Sequence, residues 1–147
     1  MKSNLFKSFS TLCVAIVIAT TSFWASAQNS FDKDTQQEVA NLFLKPMEDS
    51  AKESIGTNGI TDVQVFASEN YAVSFFLIEG LSDLSEKDLL SLKQGMIKDY
   101  QNSGMVETFP ILEETTGLKG FKFIYKDNKS FKSFTITIDF DEIVKSK

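Results

Sequence analysis

Val39, Leu42, Phe43, Met47, Ala51 and Ile55 recur every three or four residues, the repeat of one helical face. Asp32 and Asp34 stand at the start of this stripe, where carboxylates cap free amides and suit the helix dipole. Pro46 removes an amide donor and disfavours helical geometry at Lys45. The pattern therefore predicts a kink, or two short helices, before Gly56 and Gly59 end the segment.

Two strands are expected next. Val63, Val65 and Ala67 alternate with polar residues, and Tyr71, Val73, Phe75 and Leu77 alternate on the following run. Bringing these two sets onto one face takes a loop of odd length, which Ser68-Glu69-Asn70 supplies. The second run also carries Phe76 and Ile78 on its other face, as a central strand covered in part on both sides would.

A second helix reads from Ser85 to Asn102. Ser85 and Asp88 have the spacing of a capping box, Leu89, Leu92, Met96, Ile97 and Tyr100 form the stripe, and Ser103-Gly104 ends it. Met105 to Leu112 predicts a strand broken or edged by Pro110. Phe121, Phe123 and Tyr125, then Phe134, Ile136, Ile138 and Phe140, alternate on two further strands. Their faces match across an even loop, either Asp127-Asn128 or the four residues Asp127 to Ser130. The expected fold is α+β: an antiparallel sheet of about five strands with two helices on one face, in the order α-β-β-α-β-β-β.

The N-terminus changes this picture. Lys2 and Lys7 precede an apolar run from Leu12 to Ala19, and Ala25-Ser26-Ala27 follows. A basic start, a short apolar core and an A-x-A end form the signature of a secretory signal peptide. The run is far short of the ~20 residues a membrane span needs. Residues 1–27 are thus expected to be a cleaved leader and residues 28–147 a single α+β domain, with no transmembrane segment after cleavage. Losing Lys2 and Lys7 and no acid moves the net charge from −5 to −7. Cys13, the one cysteine, leaves with the leader, so the exported domain holds itself together without disulfides.

Composition then removes most chemistry. Histidine is absent, and all 15 basic residues are lysine, so arginine is absent too. The usual general base near neutral pH is missing, and neither a Ser-His-Asp nor a Cys-His site can be built. Zinc and haem lose their usual ligands, and phosphates lose the bidentate arginine clamp. No phosphate-binding glycine motif occurs, and the acidic balance opposes nucleic-acid binding. No metal or cofactor is expected. Glu113-Glu114 and the group Asp139, Asp141 and Glu142 are the acid-rich spots, read as a solvated turn and a polar chain end. Adjacent acids on a strand point to opposite faces and make no paired carboxylate site.

Lys119, Lys122, Lys126, Lys129 and Lys132 crowd one hairpin with a single acid, Asp127, giving +4 within an acidic domain. Lys122, Ile124 and Lys126 point away from the Phe121-Phe123-Tyr125 stripe, on the side of Phe131, Ser133, Thr135 and Thr137. Lys122, Lys126, Phe131, Ser133 and Thr135 are the candidate binding face, for an anionic ligand or a protein partner. The competing reading is that these lysines discourage strands of different molecules from pairing. Phe131 and Phe76 lie opposite the expected core stripes and would mark a partner surface if exposed together.

The leader end Ala25-Ser26-Ala27-Gln28, the helix-then-strands order and the tail from Thr137 to Ile143 resemble small secreted α+β proteins of unknown function from Bacteroidota. The resemblance implies a location in the cell envelope and carries over no catalytic residue. The expected function is that of an exported, non-enzymatic binding protein, periplasmic or extracellular, of inhibitor or immunity type. An accessory subunit of an envelope complex is the alternative, and a carboxylate-based hydrolase comes third.

Overall fold

The computed structural model describes residues 32–145 apart from Ser82, so the expected leader lies outside the described residues. Helix α1 spans Lys33–Lys52 and is followed by strands β1 (Ile60–Ser68) and β2 (Tyr71–Ile78). Helix α2 (Glu86–Asn102), a 3-10 turn (Val106–Thr108) and helix α3 (Phe109–Thr116) lead to β3 (Gly120–Asp127), β4 (Ser133–Asp139) and α4 (Phe140–Lys145). The sheet has four strands in the order β1-β2-β3-β4. β1–β2 and β3–β4 are antiparallel, while β2–β3 is parallel. The fold is α+β, but its sheet is mixed and its described helices number four, where five antiparallel strands and two helices were expected.

The differences have local causes. Residues 105–112 form helical turns because Val106, Phe109 and Leu112 keep a helical spacing and are all buried. Pro110 sits in the first turn of α3, where a missing amide hydrogen costs no ladder bond. With α2 and α3 inserted between them, β2 and β3 have the long crossover that parallel neighbours need.

Both expected helix starts form. The Asp32 carboxylate accepts the Thr35 amide at 2.8 Å, and Ser85 with Asp88 closes a reciprocal capping box. Helix α1 runs unbroken through Pro46, and its buried stripe is Ala40, Phe43, Leu44, Met47 and Ala51. Leu42 and Ile55, expected inside, are exposed.

The largest correction concerns which side of β2 faces the core. The β1–β2 loop has two residues, Glu69 and Asn70, with φ of 52° and 66°, so Ser68 pairs with Tyr71. Two consecutive positive φ values are those of a type I′ turn, whose twist suits a tight hairpin. Against the expected three-residue loop, the register moves by one, and a one-residue slip exchanges the two faces of a strand. Ala72, Ser74 and Phe76 therefore join Ala67, Val65 and Val63 on the helix side, and Tyr71, Val73, Phe75 and Leu77 face the other way. In the second hairpin Asp127 and Lys132 bond across a four-residue loop, Asn128–Phe131, so the expected even parity and faces are kept.

Packing on the helix side is aromatic. The Tyr100 ring of α2 stacks on Phe121 of β3 at 4.9 Å, and Phe109 of α3 stacks on Phe140 of α4 at 4.8 Å. Phe109 and Phe121 meet edge to face at 6.0 Å and join the two pairs. Phe76, Tyr125 and Phe134 form a second stack across β2, β3 and β4. Removing a ring from such a cluster costs about 3–5 kcal/mol, so these rings fix four elements to one another.

Candidate functional site

The strand registers place the outward side chains in rows. Phe66, Val73, Lys122 and Thr137 make one row, and Gln64, Phe75, Ile124 and Thr135 the next. Asp62, Leu77, Lys126 and Ser133 make a third. The buried residues of all four helices share one cluster with the inward strand residues, and Val73, Phe75, Leu77 and Ile124 stand outside it. Among the described residues, then, no helix covers this face.

Its centre is apolar. Val73 is only 1% exposed, while Phe66 at the β1 edge is 41% exposed. Phe75, Leu77 and Ile124 are partly exposed beside it. Lysines and hydroxyls flank this strip on β3 and β4. The Lys122 ammonium lies 5.0 Å from the centre of the Tyr71 ring and 3.0 Å from the Glu69 carboxylate. The Tyr71 hydroxyl donates to Asp139 at 2.7 Å, and that bond pushes the pKa of the hydroxyl up.

Four of the five candidate residues come together here: Lys122, Lys126, Ser133 and Thr135 share the open face on adjacent strands. Phe131 does not join them. It lies in the β3–β4 loop, completely exposed. Phe76 is in the core at 3% exposure, so no surface joining Phe76 to Phe131 exists. Sequence reasoning missed Tyr71, Val73, Phe75 and Leu77 as members of the face. The available signal was a second strand apolar on both sides.

The lysine-rich hairpin is less cationic than its sequence. Glu69 meets Lys122, Glu79 meets Lys129, and Asp83 meets Lys132 at 2.7 Å. Lys126 has no acid within ion-pair distance among the described residues. β3 is an inner strand, so Lys122 and Lys126 guard no sheet edge.

The acid-rich spots serve local structure. Glu113 and Glu114 are exposed on α3, a helix and not a strand. Glu142 binds Lys93 of α2 at 2.7 Å and accepts the Asp139 amide at 2.9 Å. Partial burial pushes its pKa up, but these two bonds outweigh that and hold the carboxyl below its usual range. Asp141 pairs with Lys145 one turn along α4. Among the described residues, no three Asp, Glu or Cys side chains converge as metal ligands would. Comparison with protein-family models, with curated proteins and with solved structures returns no match for this chain.

Proposed function

We propose that this chain is an exported, non-enzymatic binding protein whose open sheet face docks a protein partner in the cell envelope. The observation that carries the reading is the strip Phe66, Phe75, Leu77 and Ile124 around the buried Val73, an apolar surface on the side of the sheet away from the helices. Contiguous apolar surface left in water is costly unless something covers it. Export rests on the leader pattern in residues 1–27. Periplasmic or extracellular placement follows from that pattern.

Three hairpin lysines are engaged by acids of the same chain, which lowers the share of long-range electrostatics in docking. That favours an accessory subunit of an envelope complex over an inhibitor held to a basic enzyme by charge. A photo-crosslinking residue at position 75 should trap a discrete protein in cells, and one at Lys98, on the exposed side of α2, should not. With the trapped protein purified, Phe75→Lys should weaken binding by about tenfold or more while leaving the circular dichroism intact. Moderate salt should change the affinity little. Equal trapping at both positions, or undiminished binding by the variant, would refute the proposal.

A further inference from the structure

The rows of the open face are self-complementary, and we infer that a second copy of this chain covers the face when no partner is bound. This rests on the reading of the face as a docking surface and names one occupant for it. Consider two sheets stacked face to face about a two-fold axis running along β2. Aligned sheets pack about 10 Å apart with strands crossing at about 30°. The axis sets β2 against β2 of the second copy and β1 against its β3, with each row kept at its own level.

The side chains then meet favourably. Phe75 and Leu77 pack on the same residues of the other copy above the buried Val73, while Phe66 lies across from Lys122. In the third row, Asp62 lies across from Lys126, and the two-fold axis makes this contact twice. Both groups are available for it. Among the described residues Lys126 is exposed and has no ion-pair partner, and the Asp62 carboxylate accepts the Val63 amide at 2.9 Å and feels the Lys52 charge at the end of α1 without forming an ion pair with it. The crossing angle displaces the β1 and β3 rows by less than one residue, a gap that a lysine side chain spans. An axis perpendicular to the strands would instead set Lys122 against Lys126, like charge on like, so charge selects the first arrangement.

Size sets the strength. Three strands of eight or nine residues cover roughly 14 by 26 Å, which is small beside the about 800 Å² per partner of a standard interface. The dimer should therefore be a weak one, with a micromolar dissociation constant, easily displaced by a better-fitting partner.

Sedimentation of the protein purified after expression of the full chain, from about 1 to about 500 µM, tests this. A monomer–dimer equilibrium in the micromolar range is expected. Asp62→Lys and Lys126→Glu should each weaken it by about tenfold, and the double variant should recover most of the loss, because the pair is restored with its signs exchanged. Both positions are exposed, so folding survives, and unchanged circular dichroism confirms it in each variant. A monomer across the whole range, or no recovery in the double variant, would overturn the inference. Either result leaves the foreign-partner reading to its own crosslinking test, since a face that stays monomeric is free for another protein.

Discussion

Tyr125 and Ser74 put two hydroxyls on the core face of neighbouring strands, both buried and neither with a hydrogen-bond partner among the described residues. Burial alone pushes the Tyr125 hydroxyl pKa far up, as expected of a group with no polar contact to favour its charge. An orphaned hydroxyl carries a desolvation cost that no bond repays. Tyr125→Phe should therefore raise the free energy of unfolding by about 1 kcal/mol, read from the urea midpoint. A loss of stability would mean that the hydroxyl is bonded after all. Glu69 shows the limit of reading single residues. Asn or Gly at both loop positions would have announced a two-residue turn, but glutamate rarely takes a left-handed conformation. Its side chain pairs with Lys122, a contact that exists only once the strands are already in register.

At the level of elements, the caps and stripes of the helices were legible because the interactions are local. Asp32, Ser85 and Asp88 act where the sequence places them. Residues 105–112 were not legible, since Pro110 suggests an interrupted strand until the spacing of Val106, Phe109 and Leu112 is weighed against it. Asp127 shows a non-local link. Its carboxylate accepts the amides of Lys129 and Ser130 in its own turn and the amide of Leu81 beyond β2, at 2.6 to 2.8 Å. These backbone bonds, with Lys129 and Leu81 foremost, hold its pKa below the usual carboxylate value. A lowered folded-state pKa gives stability that is present above the unfolded-state value and disappears as pH falls through the folded one. Asp127→Asn keeps an oxygen for the turn but presents a donor to Leu81. The variant should unfold at lower urea than the parent near pH 7, and the gap should narrow as the pH falls below the ordinary carboxylate value, where the parent loses the same contribution. A gap independent of pH would contradict a charge-dependent tether.

Across the whole molecule, the α+β class and the open face with Lys122, Lys126, Ser133 and Thr135 were readable from alternation. The apolar half of that face was not. In β2 the inward set Ala72, Ser74 and Phe76 is less apolar than the outward set Tyr71, Val73, Phe75 and Leu77, so hydrophobicity selects the wrong side. The tight turn and the parallel pairing with β3 decide the matter, and the pairing is set at long range. A strand that keeps its better apolar side outward is what a docking surface requires. Cys13 is the one cysteine, so residues 28–147 contain none, and single thiols placed at positions 74 and 75 of that stretch can report on the two faces separately. Maleimide labelling of Ser74→Cys and Phe75→Cys, in dilute purified protein and in intact cells, distinguishes a covered core face from a docking face. A blocked thiol is expected at 74 in both settings, and at 75 a thiol that labels readily when purified and is protected in cells. Faster labelling at 74 than at 75, or no protection at 75 in cells, would contradict that assignment of the faces.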